Sequence, residues 1–288
     1  MNAIEIQGLT KRYQDFQLDN VNLTLPEGCI LGLAGENGAG KSTTIRCLMG
    51  AARPDAGQLR VLGADVNSPA FTEVKQDIAV VLDSVGFPTM LTPRDVGKIM
   101  AGVYQNWDMA LYDRYLQQYD LPEKKKFGDF SRGMKMKLGF AVAMSHQPRL
   151  LILDEATSGL DPVVRDEIVE MLYEYTRQPN HSVLLSSHIL SDMEKLCDYV
   201  AFIHKGKLLL CEEKDELLSR YARVQCTPAQ LEELPESVIV SRKENPYGAE
   251  AVLRRCDVPK GWESQRINME ELFVAMVKGG RSHESAAV

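Results

Sequence analysis

The chain contains 288 residues, of which 44% are hydrophobic and 25% are charged, so it can bury a large core as one domain with a small addition. The formal net charge of −7 argues against a nucleic-acid-binding protein, which usually carries a basic surface, and no nucleic-acid partner is expected. No segment approaches the roughly 20 consecutive apolar residues of a membrane-spanning helix. Residues 1–6 lack the basic start of a secretory signal, and a cytoplasmic protein is therefore expected.

The first part of the chain combines short strands with one helix. Alternating apolar residues predict half-buried strands, and continuous apolar runs predict buried ones. The predicted strands are residues 4–6, 21–25, 29–34, 58–62 and 78–82, and the predicted helix runs from Thr43 to near Gly50. This order indicates the start of an α/β domain.

The residue pattern changes in the middle of the chain. Residues 93–129 have helical spacing and few strand formers, which predicts a helical subdomain, about 86–147, inserted into the α/β domain. The lysine run 124–126 within it is interpreted as a solvated loop. The elements predicted after it are strands 149–153 and 182–187, helices 162–178 and 189–197, and a hairpin of strands 199–203 and 208–211. Alternating strands and helices predict a largely parallel sheet that is covered on both faces.

Beyond about Glu213 the pattern predicts a small accessory domain. Its predicted elements are a helix at 214–221, strands at 224–226, 238–242 and 251–254, and a turn at 245–248. A closing helix, 269–278, is expected to be capped by Asn268 and Glu271 and to stop at Gly279. The predicted organisation is therefore a first domain, 1–212, and an accessory domain, 213–288, whose tail from Ser282 onward is disordered.

The cysteines suggest no metal site. They form no C-x-x-C pair and most lie in apolar patterns, which predicts buried free thiols. The six are Cys29, Cys47, Cys197, Cys211, Cys226 and Cys256.

Residues 35–42 match G-x-x-x-x-G-K-S between a predicted buried strand and a helix start, which is the context of a phosphate-binding loop. Its glycines let backbone N–H groups converge on phosphates, and the following helix adds its positive end. Lys41 is expected to contact the β and γ phosphates, and Ser42 to supply a hydroxyl to Mg²⁺. The candidate nucleotide-binding residues here are Gly35, Asn37, Gly38, Ala39, Gly40, Lys41, Ser42 and Thr43.

Asp154 and Glu155 follow a second apolar strand. The two acids therefore lie at the carboxyl end of a strand, which is the edge of the sheet where ligands of parallel α/β folds bind. Because consecutive strand residues point in opposite directions, the two acids are expected to have different roles.

Three further segments complete a pattern. Ser131 and Gly133 lie in Phe-Ser-Arg-Gly-Met shortly before the acids, Ser-Gly-Leu-Asp ends at Asp161 shortly after them, and His188 follows the strand 182–187. In this order, with the phosphate loop upstream, these segments resemble the ATP-binding-cassette (ABC) ATPases over about residues 4–211. The predicted fold class is therefore α/β: an ABC-type P-loop NTPase with a mixed sheet core, a helical insertion and a small C-terminal α+β appendage. ATP and Mg²⁺ are the implied cofactors.

The resemblance implies a role for each matching residue near the γ phosphate. Asp154 resembles the aspartate that positions Mg²⁺, Glu155 the base that polarises the attacking water, and His188 the switch histidine. Asp161 belongs to the segment known as the D-loop, and it is also placed to cap the helix opened by Pro162. Both roles can hold together.

The resemblance also implies an adenine contact and a second subunit. Tyr13 lies where the family places an aromatic ring against adenine, with Phe16 as the competing ring. Ser131 and Gly133 match the family signature, which contacts ATP held by another cassette. A chain with a single cassette is thus expected to pair with a second one, most simply as a homodimer, so that Lys41 of one chain and Ser131 of the other form each site.

Two residues depart from the family pattern. Arg132 replaces a signature glycine, and its side chain is expected to point away from the phosphate. Asp83 stands where the family's Q-loop has glutamine, so that it either faces Mg²⁺ or only hinges the loop. Similar variants occur in small exporter ATPases of Gram-positive bacteria that handle antimicrobial peptides and phenol-soluble modulins.

These observations predict the ATP-binding and ATP-hydrolysing subunit of an ABC transporter, with an exporter as the expected type. As a cassette dimer it would drive a separate membrane-spanning permease and lie on the inner face of the cell membrane through that subunit. The alternative is a soluble ABC ATPase of translation or chromosome maintenance. Such proteins usually carry two cassettes or long coiled coils, and neither pattern is found here. A regulatory cassette without hydrolysis would be expected to lack Glu155.

Overall fold

A computed structural model describes the backbone of residues 1–245 and 248–284 and the side chains of residues 1–244 and 248–279. The strands are β1 (Asn2–Arg12), β2 (Gln17–Pro26), β3 (Ile30–Ala34), β4 (Ala56–Val61), β5 (Ala64–Asp65), β6 (Ile78–Leu82), β7 (Leu150–Asp154), β8 (Ser182–Ser187), β9 (Tyr199–His204), β10 (Lys207–Glu213), β11 (Tyr221–Cys226), β12 (Ile239–Asn245), β13 (Gly248–Arg254) and β14 (Ser264–Gln265). The α-helices are α1 (Lys41–Leu48), α2 (Phe71–Val74), α3 (Pro93–Ala101), α4 (Met109–Gln118), α5 (Arg132–Met144), α6 (Pro162–Thr176), α7 (Leu190–Leu196), α8 (Lys214–Arg220), α9 (Pro228–Glu232) and α10 (Met269–Glu284).

A six-stranded sheet in the order β10-β9-β3-β8-β7-β6 forms the centre of the fold. Its strands are parallel except β10, which pairs antiparallel with β9, and this confirms the predicted parallel sheet and closing hairpin. Leu82 of β6 lies opposite Asp154 of β7, and Asp154 lies opposite Ser186 of β8. The carboxyl ends of these strands therefore meet at one edge of the sheet, beside the end of β3.

A second sheet, in the order β2-β1-β4-β5, is antiparallel. Its apolar residues form one buried cluster with α1 and one face of the central sheet; Ile6, Leu25, Leu48 and Leu184 are examples. Alternation of buried and exposed residues along β2 agrees with a strand that has one face in the core. This packing fixes the start of α1 against the end of β3.

Helices α3, α4 and α5 lie between β6 and β7, as the sequence predicts. Thr92 and Asp95 form a capping box at the start of α3, and the Asp108 side chain caps α4. The buried Tyr112 of α4 donates its hydroxyl to the carbonyl of Pro93, 2.8 Å away, and so ties the two helices together. The lysine run 124–126 is exposed, as predicted.

The C-terminal part contains a third sheet, in the order β12-β13-β11-β14, and α10. The predicted capping box of α10 is present: Asn268 Oδ1 accepts from the N–H of Glu271 at 2.8 Å, and the Asn268 N–H donates to the Glu271 carboxylate at 3.1 Å. The prediction that Gly279 stops this helix is wrong, because α10 continues to Glu284. A Cβ atom at Gly279 would lie 1.8 Å from the carbonyl oxygen of Val240, so this glycine permits close contact between α10 and β12.

Two other features predicted for the C-terminal part, its tail and a turn, extend outside the described residues. The tail predicted to be disordered from Ser282 is helical in backbone up to Glu284, and its last residues, 285–288, lie outside the described residues. The predicted turn at 245–248 includes 246–247, which also lie outside them.

The cysteines are all free, as predicted, but their burial varies more than expected. Cys47 and Cys197 are buried, Cys256 is exposed and the other three are intermediate. Burial raises the pKa of the Cys197 thiol, so this side chain remains protonated and apolar in the core. Among the described residues, no group of three or more His, Cys, Asp or Glu side chains has the arrangement of a metal site. No described helix is long and apolar enough to cross a membrane.

Candidate functional site

The phosphate loop, residues 35–42, joins the buried strand β3 to α1. Gly40 has φ 117° and a Cβ atom there would lie 2.5 Å from Leu18, so a residue other than glycine would be strained and would clash. The loop is held by the N–H of Ala39, which donates to the Glu36 carbonyl at 3.1 Å, and by the N–H of Gly206, which donates to the Ala39 carbonyl at 2.9 Å. The start of α1 is thereby fixed where an anion is stabilised by backbone N–H groups and the helix dipole.

Lys41 is the first residue of α1 and only 5% exposed. Its ammonium donates to the carbonyls of Gly35 at 2.6 Å and Glu36 at 3.2 Å. The same nitrogen lies 3.0 Å from Glu155 Oε1, so one buried cation joins the phosphate loop to the end of β7. A phosphate entering this loop would take over the contact that Glu155 now makes.

Glu155 lies at the meeting point of these groups. Its backbone has φ 55°, which is unusual for a residue other than glycine and costs about 1–3 kcal/mol; such strain is typical of functional sites. Its Oε2 lies 2.7 Å from His188 Nδ1, and its N–H donates to the Ser186 carbonyl at 3.1 Å. The structure therefore brings Lys41, Glu155 and His188 together in one cluster, called here the catalytic cluster after the roles expected of Glu155 and His188.

The expected alternation of two strand residues does not apply here, because Glu155 lies beyond β7 in a left-handed conformation, whereas Asp154 is the last residue of β7. Its Oδ1 accepts a hydrogen bond from the Ser186 hydroxyl at 2.6 Å. A serine hydroxyl from Ser42 and a carboxylate from Asp154 are oxygen ligands of the kind that Mg²⁺ prefers, so these two residues would hold the ion beside the phosphate loop. Ser186 was not predicted from the sequence. The signal that could have identified it is its position two residues before His188, at the end of β8.

Ser131, Gly133 and Asp161 form a second group. The Ser131 hydroxyl caps α5 by accepting from the N–H of Met134 at 3.2 Å, and Asp161 caps α6 by accepting from the N–H of Val164 at 3.1 Å. All three residues line one cleft of 760 Å³. Lys41, Glu155 and His188 are not among the residues that line this cleft, so the predicted site residues of the chain fall into two separate groups.

The two candidate adenine contacts are placed differently. The Tyr13 ring is 47% exposed, with the Lys11 ammonium 5.6 Å from its centroid. Phe16 is partly buried and packs beside Gly40. Tyr13 is therefore the more exposed of the two rings, and its role in stacking on adenine stays a prediction.

Asp83 and Arg132, the two departures from the family pattern, form an ion pair with each other. The expectation that the Arg132 side chain points away from the phosphate stays a prediction. The interpretation of Asp83 as a metal ligand stays a prediction. In the structure its carboxylate is paired with the Arg132 guanidinium.

Known proteins provide an independent comparison. The model of the ABC transporter family matches residues 18–158. The bacitracin transport ATP-binding protein BcrA of Bacillus licheniformis is 33% identical over 96% of this chain and 98% of its own length. The lantibiotic transport ATP-binding protein SrtF of Streptococcus pyogenes is 34% identical over 74% of this chain and 91% of its own. A solved structure of an ATP-binding subunit of an ABC transporter has a TM-score of 0.67 and 27% identity, covering 75% of this chain and 91% of the other.

The family model includes Lys41 and Glu155 of the catalytic cluster but ends before His188, whereas the relation to BcrA spans nearly the whole chain. The relation to BcrA includes nearly all of both chains, and the family model includes the phosphate loop and both acids. The chain therefore belongs to the ABC transporter family, as an ATP-binding and ATP-hydrolysing subunit.

Proposed function

We propose that this subunit works as a homodimer in which each ATP is held between the phosphate loop of one chain and the Ser131 turn of the other. The separation of the catalytic cluster from the group of Ser131, Gly133 and Asp161 supports this proposal. The start of α5 offers backbone N–H groups beside Ser131 and Gly133, and the lysine among the residues that line that cleft, Lys137, is ion-paired with Glu167 at 2.5 Å. A second chain supplies the missing half.

Within each shared site the residues divide the work. Lys41 and the phosphate-loop N–H groups bind the β and γ phosphates, and Ser42 and Asp154 hold Mg²⁺, which balances the phosphate charge. Glu155 takes the proton of the attacking water, and His188 orients Glu155 through the 2.7 Å contact. Tyr13 stacks on adenine. Asp161 of the opposite chain also contacts the nucleotide.

We further propose that the subunit powers a separate membrane-spanning permease and that the complex exports an antimicrobial peptide. The names of BcrA and SrtF, which are transport proteins for bacitracin and a lantibiotic, support this substrate class. The subunit would lie on the inner face of the cell membrane through the permease. The exposed apolar residues Met90, Ile99 and Val103, all in the helical insertion, offer a surface for that partner.

The division into a cassette, 1–212, and an accessory domain, 213–288, is also our proposal. The third sheet has its own buried cluster, which includes Val224, Leu231 and Leu253. Other residues of the same part, such as Phe273, belong to the core of the cassette. The accessory domain is therefore docked on the cassette by an apolar contact.

A mixing experiment tests the shared site. Lys41→Ala and Ser131→Arg chains are each expected to hydrolyse ATP at background rate, because every site in either homodimer carries one defect. In a mixed dimer one site carries both defects and the other carries none, so hydrolysis should return toward half of the wild-type rate per dimer. Differently tagged chains verify that mixed dimers form. If mixed dimers are isolated and remain inactive, the shared site is wrong.

A further inference from the structure

The Asp83–Arg132 ion pair joins two segments that are far apart in the chain. The pair links Asp83 Oδ1 to an Nη atom of Arg132 across 49 residues. Asp83 directly follows β6, whose last residue lies opposite Asp154, so the carboxylate stands at the same sheet edge as the catalytic cluster. Arg132 is the first residue of α5, next to Ser131.

Arg132 also covers a third segment. A Cβ atom at Gly159 would lie 3.0 Å from both Cζ and an Nη atom of the guanidinium, so the guanidinium lies directly on Gly159. Gly159 belongs to the short segment between Glu155 and Asp161, in which the Ser158 N–H donates to the Glu155 carbonyl at 3.0 Å. One guanidinium therefore contacts the segment after β6 and the segment after the catalytic base.

The neighbouring Gly133 strengthens this arrangement. A Cβ atom at Gly133 would lie 3.3 Å from Val164, which belongs to the first turn of α6. The turn at residues 131–133 thus packs on both ends of the segment that contains Asp161. The two capping residues of this cleft, Ser131 and Asp161, are held at a fixed separation as a result.

The exposure of the two side chains indicates that the ion pair has a role other than stabilising the fold. The side chains of Arg132 and Asp83 are 52% and 58% exposed, and ion pairs of this kind contribute little to the free energy of folding. The pair instead determines where three loops lie relative to one another. Asp83 already has a cationic partner, which argues against its use as a magnesium ligand.

We propose that Asp83 and Arg132 are positioning residues: their ion pair holds the Ser131 turn against Gly159 so that the turn and Asp161 approach the other chain's ATP as one unit. This inference rests on the proposed dimer. It also explains why the two departures from the family pattern occur together, since each residue supplies the partner that the other requires.

A double-mutant cycle on the full-length chain tests the pair. Asp83→Ala and Arg132→Ala are each expected to lower kcat for ATP hydrolysis by about tenfold to a hundredfold, because small misplacements of positioning groups have effects of this size. The double variant should be no more than about twofold slower than the slower single variant, because both substitutions break the same contact. The reversed pair, Asp83→Lys with Arg132→Glu, should regain part of kcat. The KM for ATP should change little in all of them.

Arg242 and Glu236 provide a matched control in the C-terminal part of the chain. They form an ion pair at 2.6 Å with side chains 51% and 71% exposed, and neither lines the cleft of Ser131. Alanine at either position should leave kcat unchanged. Thermal unfolding of all variants should stay close to wild type, which separates positioning from loss of the fold.

Three results would overturn the proposal. These are unchanged kcat in the single variants, effects of Asp83→Ala and Arg132→Ala that multiply in the double variant, or a raised Mg²⁺ requirement in Asp83→Ala alone, which would assign Asp83 to the metal. Failure of the dimer is detected separately. If the mixing experiment fails while the cycle remains non-additive, the shared site is wrong but the pair acts within one chain.

Discussion

Glu155 is the carboxylate that joins the other two members of the catalytic cluster. Its backbone is left-handed, and its two oxygens contact different partners, Lys41 and His188. We expect Lys41 to bind phosphate whether or not Glu155 is charged. A substitution that preserves the shape of Glu155 therefore separates binding from hydrolysis.

Glu155→Gln is expected to lower the rate of ATP hydrolysis by about 10²- to 10⁴-fold, because an amide cannot accept the proton of the attacking water. ATP should still bind through Lys41, and the variant should accumulate as an ATP-bound dimer in size-exclusion chromatography. Glu170→Gln makes the same chemical change at an exposed position of α6 and should behave as wild type. Near-normal turnover in Glu155→Gln would remove this residue from the role of base.

At the residue scale, local sequence patterns predicted the members of the catalytic cluster but not the contact between Asp83 and Arg132. Lys41 and Glu155 could be assigned to one site because each lies in a motif whose place at a sheet edge is known. The Asp83–Arg132 pair could not be predicted, because 49 residues separate its members and only the tertiary fold brings them together. Both residues were nevertheless marked in the sequence as departures from a pattern.

At the scale of elements, hydrophobic periodicity predicted the strands of the central sheet closely. The predicted strands 78–82 and 182–187 agree with β6 and β8 at both ends. In β6 a continuous apolar run bounded by polar residues leaves little choice of limits, whereas the apolar run of β8 is only residues 183–185. Local signals failed for α10. Gly279 carries the signature of a helix end, but here it serves contact with β12, which no local pattern reveals.

Gly279→Ala is expected to destabilise the protein by about 1–3 kcal/mol, as a methyl group forced into a packed contact does. In an open helix the same change would stabilise by about 0.5–1 kcal/mol, so the sign of the effect is diagnostic. Urea unfolding measures the difference. Lys278→Ala, at an exposed position one residue earlier, is the control and should change stability little. A more stable Gly279→Ala variant would show that α10 does not approach Val240 so closely.

At the scale of the whole molecule, the accessory part is connected to the catalytic cluster through α7. The N–H of Met269, at the start of α10, donates to the Glu194 carboxylate of α7 at 3.0 Å, and the Phe273 ring packs edge-on against Phe202 at 5.1 Å. Because α7 begins two residues after His188, a shift of α10 would reach the site through one short helix. The sequence predicted both parts but gave no sign of this contact.

The helical insertion carries exposed apolar residues. Ile99, in the last turn of α3, and Val103, two residues after its end, are 47% and 55% exposed. Exposed apolar residues that lie together are typical of protein interfaces. They belong to the insertion that starts just after Asp83, and a partner bound there would be mechanically connected to the Asp83–Arg132 pair.

The double variant Ile99→Glu/Val103→Glu is therefore expected to lose its permease while keeping the ATPase activity of the isolated subunit, since neither residue lines the catalytic cluster or the Ser131 cleft. Two buried carboxylates at an interface would each lose hydration without gaining a partner, which disfavours binding strongly. Co-purification of the tagged subunit with a multi-span membrane protein measures the loss. Leu209→Glu changes a comparably exposed apolar residue, 42% exposed on β10, and should co-purify as wild type. If the double variant retains its membrane partner and Leu209→Glu loses it, the permease binds the opposite side of the cassette.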